Sequence, residues 1–159
     1  MTATAQGIPT TFLFDLVAEL EPRIDLGPGP LGRRMLDRVD HGTFNGPRLR
    51  GDVLPGSGDP LLRRTDGVAV IDARALLRTD DGAHILMTYS GRAVVPPAVL
   101  ARLNDPHTRD LVDPSTYSIW AAPFFETGDP RYSWLNAVVA VASAQLTADG
   151  VNWRVSQIG

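Results

Sequence analysis

Asp72 and Arg74 stand two residues apart in the run Val70-Ile71-Asp72-Ala73-Arg74-Ala75-Leu76. In an extended strand alternate side chains leave the same face, so acid and guanidinium project together. Turned inward, the pair could orient a carbonyl or enolate oxygen while the acid moves a proton. Turned outward, it is a solvated ion pair of little consequence. The opposite face, Ala69, Ile71, Ala73, Ala75 and Leu77, reads equally well as core, and pattern alone does not fix the face.

Two further acids are candidates for proton transfer. Glu126 ends an apolar run after Phe124 and Phe125 and precedes a turn at Gly128. A carboxyl set against aromatic rings loses hydration, which raises its pKa toward the range useful for acid or base work. The alternative is an acid that caps the turn by accepting backbone N–H bonds. Asp59 follows the loop Pro55-Gly56-Ser57-Gly58, where it could act on a ligand or close a turn.

Ligand contacts are sought among aromatic and basic residues. Tyr132 and Trp134, two apart on a segment read as extended, would share a face. They would either stack on a flat ligand, with the phenol as donor, or plug one end of the fold. Arg74, Tyr89 and His41 complete the binding candidates. Asn136 reads as structural, because Asn in an apolar strand needs a buried partner. Arg48 and Arg50 alternate with Leu49 and Gly51 and read as solvent-facing.

Several chemistries are excluded outright. The chain has no cysteine, so disulfides, thiolate catalysis and thiolate metal sites are absent. All 15 basic residues other than histidine are arginine, which rules out a lysine Schiff base and a Walker A loop. His41, His84 and His107 have no helical metal spacing, so no metal site is expected. No Gly-x-Ser-x-Gly elbow occurs, and Gly27-x-Gly29 opens no helix. Any activity is therefore expected to need no cofactor and to survive chelation.

The elements that must position these groups are mainly strands. Thr10 to Glu21 alternates, with Phe12, Phe14, Leu16, Ala18 and Leu20 on one face. Gly27-Pro28-Gly29-Pro30 reads as a loop. Arg33 to Thr43 reads as a polar strand with Met35 and Val39 on one face. Arg48 to Leu54 is a strand closed by Pro55 to Gly58. Val68–Thr79 and Ala83–Gly91 form a hairpin around Asp80-Asp81-Gly82. Pro96 to Leu103 is the one helix, with Pro in its first turn. Thr116–Glu126, Leu135–Leu146 and Val151–Ile158 are the last strands, the final two joined at Asp149-Gly150. The expected fold is all-β: one domain over residues 1–159, an antiparallel up-and-down barrel of about eight strands with one short helix. Such a barrel can hold one small ligand.

The residues that recur in this order resemble a known family. They are Gly42 to Asp59, Asp72-Ala73-Arg74 with Leu77 to Ala83, and Phe125 to Asn136, with Pro130-Arg131-Tyr132-x-Trp134-Leu135-Asn136 the most specific string. The family is domain of unknown function 3237, also called uncharacterised protein family 0311. The resemblance runs from about Phe12 to Val155. It implies a compact antiparallel β-barrel. It also implies that cofactor-free ring closure, by adding a hydroxyl across an activated double bond, occurs among the members. The chain departs from the pattern at Pro60 and Ala75, where aromatics are common, and at His41, which replaces the first of two glycines.

The leading expectation is a cofactor-independent lyase, isomerase or cyclase acting on a small apolar oxygenated metabolite inside the barrel. Asp72, Glu126 or Asp59 would move protons, and Asp72, Arg74, Glu126, Tyr132 and Trp134 would converge on one cavity near a barrel mouth. A non-catalytic binding barrel and a structural or interaction protein with a filled barrel are the alternatives. An internal pocket with a buried carboxylate favours the first, a purely apolar pocket the second, and no cavity the third. The net charge of -3 gives no general reason to bind nucleic acid, and no apolar run is long enough to span a membrane. The polar start of the chain does not read as a signal peptide, so a cytoplasmic protein is expected. The sequence leaves a homo-oligomer open.

Overall fold

The computed structural model describes residues 7–159. Ten strands follow in chain order: β1 (Thr10–Leu20), β2 (Ile24–Gly29), β3 (Gly32–Asn45), β4 (Arg50–Asp59), β5 (Leu62–Arg63), β6 (Ala69–Thr79), β7 (His84–Val94), β8 (Ser118–Glu126), β9 (Ala140–Leu146) and β10 (Gly150–Ile158). One α-helix, α1 (Pro97–Asn104), lies between β7 and β8. Short 3-10 turns follow at Arg109–Leu111, Pro114–Thr116 and Pro130–Ala137.

Eight strands close a ring in the order β1-β10-β9-β8-β7-β6-β4-β3, and β3 returns to β1. Every pairing is antiparallel, so the fold is the up-and-down barrel that the alternating strands imply. β2 lies outside the ring on β3, and β5 bridges β3 and β6. Among the described residues, no helix is long and apolar enough to cross a membrane.

Period-two alternation decides what enters the barrel. On β6, Ala69, Ile71, Ala73, Ala75 and Leu77 are buried, while Asp72, Arg74, Leu76 and Arg78 are exposed. One half of the interior is filled. Phe14 meets Phe44 and Phe125 edge-on, at ring centroid distances of 5.6 and 6.0 Å, and Leu135 seals that end with no exposed surface. The opposite half is lined by small residues such as Ala18, Ala69, Ala75 and Ala93, and there a cavity remains. Leu100 and Leu103 of α1 cover this open end.

Irregularities in the strands aim the side chains. The register of β3 slips between Val39 and His41 against β1 and between Arg38 and Gly42 against β4. This bulge switches the inward parity, so Met35, Asp37 and Val39 before it and Phe44 after it all point in. β4 bulges between Leu54 and Gly58, where Ser57 repairs the ladder: its hydroxyl accepts the Leu76 N–H and donates to the Leu54 carbonyl, both at 2.8 Å. β8 and β9 pair only at Trp120 with Ser143 and Ala121 with Ala142. Beyond that point the 3-10 turn Pro130–Ala137 packs beside β8.

Four local expectations need correction. Pro55 to Gly58 does not end β4, because the bulge carries the strand on to Asp59. Gly27 to Gly29 is strand, since β2 tolerates its glycines and proline at the edge of the sheet. The short β5 was not foreseen. Leu135 does not open a strand: residues Pro130–Ala137 are 3-10, started by Asp129, whose carboxylate accepts the Arg131 N–H, and β9 begins at Ala140.

Candidate functional site

The expected convergence of Asp72, Arg74, Glu126, Tyr132 and Trp134 does not occur. Asp72 and Arg74 sit on the outer wall, 60% and 61% exposed, in a loose 3.6 Å ion pair. The alternating core of β6 took the inward face, so they cannot reach the interior. Glu126 is exposed at the filled end of the barrel. Tyr132 and Trp134 are at that end too, on the 3-10 turn and not on an extended segment. The Tyr132 hydroxyl donates to Asp81, with both carboxylate oxygens within 3.0 Å, and the Arg48 guanidinium lies 3.6 Å over the Trp134 ring. These residues clamp the end of the barrel. Asn136 does the structural work expected of it: its side chain accepts the Thr127 N–H and donates to the Thr127 carbonyl, at 2.9 and 3.0 Å. Accordingly Tyr132→Phe should lower stability by about 1 kcal/mol. It should leave ligand binding in the cavity unchanged, which thermal unfolding and titration would check together. His41 is also outside, exposed between Asp40 at 3.0 Å and Glu19 at 3.2 Å, and its pKa is raised by those acids, Asp40 first.

The interior cavity, about 120 Å³, gathers a different set. Its walls are mostly apolar, with Leu16, Ile71, Ala93, Ile119 and Val151 among them. Two of the expected residues, Asp59 and Tyr89, line it. With them come Asp37, Arg23, Arg63, Arg109 and Trp153, none of them among the expected site residues. Asp37 had a visible signal, because it falls between Met35 and Val39 in the period-two pattern. The arginines had none, since they enter from β2's approach, from β5 and from a loop turn.

Asp59 is the group most altered by the site. It is brought in by the β4 bulge and faces Asp37 across the β3–β4 register, so the two Cβ atoms are about 5 Å apart. Its Oδ1 accepts the Asp72 backbone N–H at 3.1 Å. Burial in the apolar cavity pushes its pKa up to about 6; the Asp72 N–H opposes this, and the charges of Asp37 and Asp72 add to it. Asp37 is gripped by Arg23 in a bidentate pair, Nε to Oδ1 at 2.6 Å and Nη2 to Oδ2 at 2.8 Å. The pair raises the Arg23 pKa, with the Asp37 hydrogen bond the largest cause.

Tyr89 and Trp153 form the aromatic side of the cavity. Their rings meet edge-on with centroids 5.2 Å apart. Burial drives the Tyr89 pKa well above its ordinary value, with Asp59 and Asp37 adding to the effect, so its hydroxyl is held as a neutral donor. The Tyr89 hydroxyl and the Trp153 indole N–H make no protein hydrogen bond among the described residues, and neither is sealed from the cavity they line. Both are donors left for a ligand. An acid poised near neutrality and a free phenol in one apolar enclosure can transfer a proton and stabilise an oxyanion.

Comparison with known proteins adds a lineage. A family model described as "Protein of unknown function (DUF3237)" matches residues 8–158. A UPF0311 protein of Clostridium acetobutylicum is 31% identical over 140 residues, covering 87% of each chain. The crystal structure of a conserved protein of unknown function from Rhodopseudomonas palustris superposes with a TM-score of 0.88 at 29% identity, over 98% of this chain and 100% of that one. The hydroalkoxylation enzyme phnH of Penicillium herquei is 30% identical over 107 residues, covering 67% of this chain and 54% of that protein.

Proposed function

The chain belongs to the DUF3237 family, and from that premise we propose that it is a cofactor-independent enzyme that closes a ring by adding a hydroxyl across an activated double bond. The observation that carries the reading is Asp59, a desolvated carboxyl opposite the unpartnered Tyr89 phenol in an apolar cavity. The cavity holds a carboxylate, which by the criterion set from sequence favours a catalyst over a carrier or a filled barrel. A relative named for hydroalkoxylation supports the same class of reaction.

The substrate is an enone that carries its own hydroxyl. Asp59, as carboxylate, takes the hydroxyl proton while the oxygen bonds to the β-carbon. The π electrons move onto the carbonyl oxygen, which becomes an enolate. Tyr89 donates a hydrogen bond to that oxygen. Asp59, now protonated, returns the proton to the α-carbon. One O–H and one C=C are consumed, one C–O and one C–H form, and no oxidant or reductant is needed. A carboxyl with a pKa of about 6 both takes and gives a proton near neutral pH. Burial sets that poise, and the charge of Asp37, fixed by Arg23, adds to it.

The test uses 2′-hydroxychalcone and related ortho-hydroxyaryl enones, whose closure is followed by loss of the enone absorbance. Acceleration over buffer is expected. Ala93→Phe, which fills the cavity, should remove it while leaving the fold intact by circular dichroism. No acceleration with any enone, or full acceleration in the filled variant, rejects the proposal.

A further inference from the structure

The arginines of the cavity are not balanced by acids. Arg23 is committed to Asp37. Arg63 and Arg109 have no carboxylate partner within ion-pair distance among the described residues. Arg63 makes one long contact, Nη1 to the Gly67 carbonyl at 3.5 Å. Arg109 is anchored through Nε, which donates to the Leu103 carbonyl at 2.7 Å at the end of α1. That bond fixes the guanidinium over the mouth and leaves both Nη groups unused. Three of the acids around the mouth are taken: Glu21 by Arg38 at 2.6 Å, Asp25 by Arg33 at 2.5 Å, and Glu19 by His41 at 3.2 Å. Asp105, four residues before Arg109, accepts the His107 N–H. Asp59 is the only cavity acid left, and burial already works against its charge. The cavity lining thus counts three arginines against two acids, Asp37 and Asp59, while Asp40 and Asp149 lie on the outer groove beyond it.

An unpaired guanidinium half-buried in an apolar wall is costly. Both Arg63 and Arg109 have depressed pKa values, through burial first and then through Arg23. An anion entering between them would relieve that cost, and a carboxylate matches the planar guanidinium fork.

We propose that the ligand of this cavity carries a carboxylate, bound at the mouth by Arg63 and Arg109, with a planar apolar body against Tyr89 and Trp153. The proposal rests on reading the cavity as the substrate site, but it is independent of the reaction performed there. It places the anionic end of the substrate at the mouth, under α1, and the reacting carbons deeper, toward Asp59.

The experiment compares two probes of one shape, naphthalene-2-carboxylate and naphthalene-2-carboxamide, by isothermal titration at low and high salt. The carboxylate should bind at least about tenfold tighter at low salt, with the gap narrowing as salt screens the pair. In the Arg63→Met/Arg109→Met variant the gap should close while carboxamide affinity stays within about twofold. In Asp59→Asn the preference should persist. Equal affinities in the wild-type protein, a salt-independent gap, or binding of neither probe overturns the proposal without recourse to any variant. Persistence of the preference in the double variant overturns it too. Loss of enone closure with the carboxylate preference intact would strike the reaction and spare this assignment.

Discussion

Asp59→Asn is expected to lose about 10²- to 10⁴-fold in turnover and, at pH 8, to be more stable than the wild-type protein. The substitution keeps the shape and the acceptor for the Asp72 N–H, and removes only the charge. In the folded protein Asp59 titrates at about 6, above its ordinary 3.8. Between those values the folded state binds a proton that the unfolded chain has released. This group therefore favours folding most at low pH, and the contribution is lost as pH rises toward about 6. Above about pH 6 the buried charge costs about 1–3 kcal/mol. Removing it should raise the midpoint of unfolding at pH 8 by about 3–8 °C, with little gain at pH 4. Wild-type turnover should rise with pH through about 6, as the base ionises. A variant that is inactive and also destabilised at pH 8 would show that Asp59 is structural.

Gly91→Ala is expected to be among the most damaging single methyls in the wall. A Cβ at Gly91 would lie 2.0 Å from the Trp120 carbonyl oxygen and 2.8 Å from the Ala121 Cα, both backbone atoms of β8. Neither can rotate away, so β7 and β8 must part beside the strand that carries Tyr89 and Ala93. The cost should be about 3 kcal/mol, or a fall of about 6–12 °C in midpoint. Gly128→Ala is the control, because nothing lies within 4 Å of its Cβ position. Equal midpoints for the two variants would refute the close approach.

The barrel was legible in the sequence because period two is a backbone property. Leu16 and Ala18 on β1 and the alternation of β6 divide each strand into two faces without knowledge of neighbours. The site was less legible for the same reason. Asp72 and Arg74 obey the alternation and go outward, yet the sequence could not say which face the ring would choose. Tyr132 and Trp134 belong to the most distinctive string, and that string clamps the closed end. Asp59 was singled out beside a loop that is in fact a bulge, and the bulge turns it into the cavity lining. Arg23, Arg63 and Arg109 come from separate elements, and only the closure of the ring brings them to one mouth.

The sparse pairing of β8 with β9 gives the barrel a preferred line of failure. A closed sheet resists opening only as well as its weakest joint, and here the joint is two residues long. Past Ala121 no backbone ladder joins the two strands; the seam is held by side-chain packing and, at its end, by the Asn136–Thr127 hydrogen bonds of the 3-10 turn, so most of its cohesion is apolar and weakens on cooling, unlike the bonded seams elsewhere. Under load the wall should part there first, with β9, β10 and β1 moving as one leaf and β8, β7 and β6 as the other. Amide hydrogens of residues 122–126 that face β9 should exchange ahead of those in the β6–β7 ladder, most markedly in the cold.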